Sequence, residues 1–333
     1  MLLAYSKHTV EQAVLAGELP DDRDVQDVLR DYFPTPLRTR AHTAIGRHPL
    51  RREIIATALV NTVVNTGGST LVFRMMEETG ALEPDVVRAH LTARRIFDQE
   101  RFWDDVAALD HSVAASLQVE LYLESRRLVE RATRWLLRNR RAPLPISATV
   151  AAFADGVQRC AEVLPSVLGE DELGAVAQRH DHFAAGGVPE PIAARAATFA
   201  AQASALDIIE IAGETGRPIE AVVAAYATVG DRLGLDWLRE HILADLPRSD
   251  RWGALARSAM RDDVYGEHRA ITSAVLRGAE RSEDAAAAFD RWAGDRAPTI
   301  TRSARVLADI RQAGTYDLAT LSVALRELRN LTK

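Results

Sequence analysis

Arginines recur along RRLVERATRWLLRNRR, residues 126–141, at Arg127, Arg131, Arg134 and Arg138, with Arg141 following. Spacing of three and four residues lays them in one basic stripe along a helix, beside apolar Leu128, Trp135 and Leu136. A guanidinium pairs in bidentate fashion with carboxylate or phosphate, so the stripe suits acidic residues of its own chain or an acidic neighbouring domain. A second set lies in HPLRREIIATALVNTVVNTGGSTLVFRMMEETG, residues 48–80. There Glu53, Thr57, Asn61 and Asn65 are each four apart and draw a polar line along an otherwise apolar helix. A buried polar group left without a partner costs ~1–3 kcal/mol, so something is expected to face that line. Arg74 could partner Glu53 only if the chain turns back at Gly67–Gly68.

The sequence carries none of the common catalytic signatures. It has no G-x-G pair, no phosphate-binding G-x-x-x-x-G-K-[ST] loop, no H-E-x-x-H or C-x-x-C, and no G-x-S-x-G elbow. His180-Asp181-His182 is the one close histidine pair and lacks a third ligand nearby, whereas zinc needs three or four. Asp104-Asp105 and Asp262-Asp263 are adjacent carboxylates, and adjacent residues of a helix point to different sides. No catalytic, cofactor-binding or metal-ligating residue is therefore assigned.

Composition narrows the classes further. Among 333 residues, 47% are hydrophobic and 26% charged, enough for a sizeable core. A net charge of -6 argues against general nucleic-acid binding. The single cysteine, Cys160, excludes an intramolecular disulfide framework and fits a reducing, cytoplasmic setting. Ile54 to Phe73 is a run of twenty uncharged residues, but four Thr, two Asn, one Ser and two Gly leave only eleven apolar ones. A membrane span needs about 20 predominantly apolar residues, so this run is read as a buried segment. MLLAYSKHTV has no signal-peptide character and leads directly into an amphipathic helix, so the chain is expected to be part of something longer.

Helix signals dominate, and an all-α fold is expected. Starts are read at Asp21-Asp22, Pro34 to Pro36, His48-Pro49, Glu83-Pro84-Asp85, Pro145, Pro189–Pro191, Pro218, Asp250, Ser282 and Thr299, with a long helix over 112–141. Gly80 is read as a helix end. Only residues 54–73 resemble a strand in composition, and their length and the preceding proline favour helix. There is also an internal repeat: residues 77–106 line up with 213–242. Glu78-Thr79-Gly80 matches Glu214-Thr215-Gly216, and Val86-Val87 matches Val222-Val223. Trp103 meets Trp237 after a short slip, and Leu136–Asn139 resembles Val275–Gly278. Two diverged copies of one helical unit are expected, at 48–141 and 187–278. Around them lie a lead-in at 1–47, connecting helices at 142–186 and C-terminal helices at 279–333. Where the polar line would recur, the second copy has Ile192, Ala196, Ala200 and Ser204 or, in a frame one residue on, Ala193, Ala197, Ala201 and Ala205, so the line is nearly erased in either frame.

Several stretches resemble a known family. HPLRREIIAT, the VN and VFR that follow, EETGA, RRLVERATRWLLRNRR, LGLDWLR (233–239) and LSVALRELRNL (321–331) are similar to the C-terminal region of the large bacterial NAD-specific glutamate dehydrogenases. LLAYSK and LPDD resemble the family's junction after its catalytic domain, while 38–47, with His42-Thr43, matches weakly. The resemblance implies a large homo-oligomeric enzyme that oxidises glutamate to 2-oxoglutarate with NAD. It also implies that the catalytic lysine, nucleotide loop and substrate residues lie upstream, leaving a helical domain for packing or regulation, with no cofactor of its own. On that reading the catalytic domain is the partner, and no nucleic acid or membrane is involved. Glu53, Thr57, Asn61, Asn65, Arg74, Arg127, Arg131, Arg134 and Arg138 become candidate inter-domain contacts. The alternative is a stand-alone all-helical interaction module without enzymatic activity.

Overall fold

A computed structural model of the chain describes residues 2–244, 246 and 250–332, and no strand occurs among them. The helices begin and end where local chemistry directs. Asp250, Asp284 and Asp317 each accept a backbone N–H three residues on, from Gly253, Ala287 and Thr320 at 2.8–2.9 Å, capping the helices that follow. The Asp284 cap sets the start of helix Ala285–Gly294, two residues beyond the expected cap at Ser282. The long helix spans Ala115–Asn139 rather than 112–141, because Leu109 to Val113 form a turn in which His111 has φ 66°.

The uncharged run is two helices, Arg51–Gly67 and Leu71–Thr79. The helix opens at Arg51 rather than Pro49, after a turn in which His48 Nδ1 accepts the Leu50 N–H at 3.1 Å. The break at the other end comes from Gly68, at φ 85° and ψ 162°, backbone space that is almost exclusively glycine's. No described helix is long and apolar enough to cross a membrane.

The chain forms two compact units, Met1–Asp155 with Gln178–Ala203, and Gly156–Ala177 with Ser204–Lys333. In the first, helix Ala115–Asn139 buries Leu117, Leu121, Leu128, Ala132, Trp135 and Leu136, an apolar stripe at helical spacing. Helices Glu83–Ile96, Gln99–Ala107 and Glu190–Gln202 pack on it. Glu190–Gln202, which the repeat assigns to the second copy, thus lies in this unit, where Phe199 meets Phe102 edge-on at 4.9 Å. A further core joins helices Leu2–Ala16, Gln26–Tyr32, Arg51–Gly67 and Leu71–Thr79 through Val14, Leu29, Ile55, Val60 and Met75. The second unit is built on helix Arg251–Gly278, whose Met260, Val264, Ile271 and Val275 meet Val229, Leu238, Trp292 and Leu325.

A Cβ at position 68 would be strained by the backbone and would lie 2.7 Å from Arg126 Nη2. Gly68→Ala is therefore expected to lower unfolding stability by about 2–3 kcal/mol in urea titration, from backbone strain and the displaced guanidinium. An unchanged midpoint would contradict this account of the break.

Candidate functional site

The polar line does not share one environment. Glu53 and Asn65 are exposed, while Thr57 and Asn61 are half-buried. Thr57 Oγ1 donates to Glu11 Oε1 on helix Leu2–Ala16. Glu53, Asn61 and Asn65 form no side-chain hydrogen bond among the described residues. The chain does turn at Gly67–Gly68, yet Arg74 pairs with Glu130 instead of Glu53, its Nη1 and Nη2 donating to Oε1 and Oε2 at 2.6 and 2.7 Å.

The arginine stripe faces several ways. Arg127 is exposed and pairs with Glu124 one turn back. Arg131 Nε donates to the Ala203 carbonyl at 2.7 Å, just past the end of helix Glu190–Gln202. Arg134, only 4% exposed, donates from Nε to Glu78 Oε2 at 2.6 Å, with Nη2 3.4 Å from Glu130 Oε1. Arg138 Nη2 donates to the Glu78 carbonyl at 2.9 Å. Within the first unit, Arg74, Glu130, Arg134 and Glu78 thus alternate in charge and join helix Leu71–Thr79 to the long helix. Burial pushes the Glu130 carboxyl up, but the Arg74 hydrogen bonds and the two arginine charges outweigh it and hold its pKa below the usual range. For Arg74, burial acts downward and the Glu130 bonds prevail, raising its pKa.

The second unit shows a related arrangement. Gly80 and Gly216 both end their helices in the left-handed region, at φ 75° and 65°, and Thr79 and Thr215 each donate to the carbonyl four residues back at 2.6 Å. Glu214, which aligns with Glu78, accepts from Arg269, from Ser273 at 3.3 Å and from Arg277 at 3.4 Å on helix Arg251–Gly278.

Sequence reading passed over His90. It is 2% exposed on helix Glu83–Ile96, and its Nε2 lies 2.9 Å from Thr66 Oγ1. Thr66 gives its own hydroxyl proton to Thr62 O at 2.7 Å, so it accepts from His90 Nε2–H. Burial, then the Arg94 charge, pushes the His90 pKa down to about 3, so the ring is neutral. A lone histidine carries no signal in sequence; Glu130, four residues before Arg134, did, whereas Glu78 stands 56 residues from the arginine it meets. His180 and His182 face separate carboxylates, Glu190 at 2.9 Å and Glu120 at 2.7 Å. No group of three or more His, Cys, Asp or Glu able to hold a metal exists among the described residues. Cys160 is buried, and burial pushes its thiol up to about 12, far from a reactive thiolate.

Comparison with known proteins gives one consistent family. The family model described as glutamate dehydrogenase, C-terminal, matches residues 1–330. The NAD-specific glutamate dehydrogenase of Mycobacterium tuberculosis is 39% identical over 332 residues, covering 100% of this chain and 20% of that protein. Its counterparts in Pseudomonas aeruginosa and Halomonas elongata are 33% and 30% identical over 333 residues, again covering 20% of their length.

The neutral, buried His90 makes stability depend on pH. Its folded pKa of about 3 lies below the ordinary histidine value of 6.5. Below pH 6.5 the unfolded chain binds a proton that the folded chain refuses until about pH 3, so stability falls as pH drops. The loss through this group reaches about 2 kcal/mol at pH 5. In His90→Leu the stability difference between pH 8 and pH 5 is expected to shrink by about that amount in urea titration. An identical pH dependence in both proteins would refute the assignment.

Proposed function

This chain belongs to the glutamate dehydrogenase C-terminal family, and from that premise we propose that it serves as the non-catalytic helical domain of a large NAD-dependent glutamate dehydrogenase. The observation that carries the reading is the match over residues 1–330 to proteins of which the chain spans about a fifth. In the full-length enzyme, glutamate and NAD would become 2-oxoglutarate, ammonium and NADH. Nucleotide binding and proton transfer would belong to the remaining four-fifths, since this sequence offers no nucleotide loop. A cytoplasmic, homo-oligomeric enzyme is the setting we infer, supported by the single cysteine and the family.

Within that enzyme the candidate contacts divide by what they already hold. Arg74, Arg131, Arg134 and Arg138 bond to groups of the first unit and act by fixing its shape. Glu53, Asn61 and Asn65, with the exposed Arg127, offer the docking groups for the catalytic part. Thr57 orients that face through Glu11. The paired ETG turns and the glutamates before them support descent of the two helical units from one duplicated unit.

The test is to isolate the polypeptide that carries these residues in cells and assay it beside the 333-residue chain alone. Glutamate-dependent NADH formation is expected to follow a polypeptide about five times longer, from the fifth that the chain spans, and to be absent from the chain alone. NADH production by the chain itself would overturn the non-catalytic assignment. A cellular product of only this length would favour the stand-alone interaction module.

A further inference from the structure

The residue after each left-handed glycine differs between the two ETG turns: Ala81 follows Gly80, and Arg217 follows Gly216. Arg217 is half-buried, and its guanidinium caps the end of helix Arg251–Gly278. Nη1 donates to Glu280 O at 2.9 Å, and Nη2 donates to Leu276 O at 3.2 Å and to Ala279 O. The last carbonyls of a helix lack intrahelical donors and carry partial negative charge, which a guanidinium satisfies well.

The frame that aligns Leu136–Asn139 with Val275–Gly278 places Leu137, Arg140 and Arg141 at the three carbonyl positions, beyond helix Ala115–Asn139 and in its last turn. Ala81 stands where Arg217 does, with a methyl in place of the guanidinium. All four residues line one cavity of about 220 Å3, together with Leu82 and Asp85. Leu137 O and Arg141 O accept no hydrogen bond among the described residues. Asp85 stands where the second unit has the uncharged Ala221, and its carboxylate makes no ion pair or hydrogen bond among the described residues. The Arg140 guanidinium lies over the rings of Trp135 and Phe153, 5.1 and 5.0 Å from their centroids, and Arg141 is exposed.

We propose that this cavity is a binding site for a guanidinium group supplied from outside the chain, which would take the place that Arg217 fills in the second unit. Carbonyl oxygens at the helix end accept its N–H groups, and Asp85 supplies the counter-charge. The donor is either an arginine of a docking polypeptide or a free alkylguanidinium. The inference uses the internal correspondence between the ETG turns, and direct titration tests the cavity whether or not the units share ancestry.

The experiment titrates the 333-residue chain with ethylguanidinium chloride and with N-acetyl-L-arginine methylamide, following backbone amide resonances. Tetramethylammonium chloride at equal ionic strength is the control cation without hydrogen-bond donors. Saturable shifts at Gly80, Asp85 and Leu137 are expected with both guanidinium probes and not with the control. Tighter binding of the blocked arginine marks a polypeptide source, and equal binding marks a free guanidinium. Ala81→Arg is expected to fill the cavity itself, weaken both probes at least ~tenfold and raise the thermal midpoint. No saturable shift, equal shifts with tetramethylammonium, or wild-type binding by folded Ala81→Arg would overturn the site. Should Ala81→Arg not fold, Asp85→Asn decides: a several-fold loss of affinity supports the site, and unchanged affinity overturns it.

Discussion

A guanidinium leaves water only in company with its counter-charge, and Arg134 does so between Glu78 and Glu130. That requirement ties helix Leu71–Thr79 to the C-terminal third of the long helix, because Glu78 sits in the last turn of one and Arg134 on the buried face of the other. Arg74 closes the other side of Glu130, and Arg138 takes the Glu78 carbonyl. The ETG turn then follows from Gly80 in the left-handed region, which aims the next helix, Glu83–Ile96, back along the long one. In the second unit Glu214 meets arginines of helix Arg251–Gly278 in the same sense, with Ser273 at the position of the buried arginine.

Much of the helical framework was legible because its punctuation is local. Pro145, Pro189, Pro218 and Asp250 stand at helix starts, and Gly80 stands at a helix end, through effects that span one turn. The roles of the arginines were not legible, since periodicity gives a stripe's direction but not what lies opposite. Arg134 is buried because Glu78, 56 residues earlier, meets it, and no spacing rule reaches that far. The same holds for Arg131 and the Ala203 carbonyl. His90 needed Thr66 and the surrounding core to become a neutral buried ring. The break in the uncharged run was half legible: Gly67-Gly68 offered a turn, and the packing of Arg126 against Gly68 decided how tight it is.

These pairings separate two kinds of candidate. Groups already bonded within a unit shape it; groups without a side-chain partner among the described residues are, on the proposed reading, the ones left for the rest of the enzyme. Glu53, Asn61 and Asn65 fall in the second class, and on the proposed duplication the near-absence of this line at 192–204 fits a contact made by the first unit alone. Beside the cavity at Ala81, the first unit carries a methyl where the second unit has the Arg217 guanidinium.

The central claim is that the arginines of the long helix are internal supports before they are a binding surface. A double-mutant cycle on Glu78→Gln and Arg134→Met, read by urea unfolding at pH 7, tests it most directly. The account predicts a coupling energy of at least ~2 kcal/mol, as for a buried hydrogen-bonded pair. Coupling near zero, with each single variant as stable as the parent, would contradict it and return the stripe to the role of an external docking face.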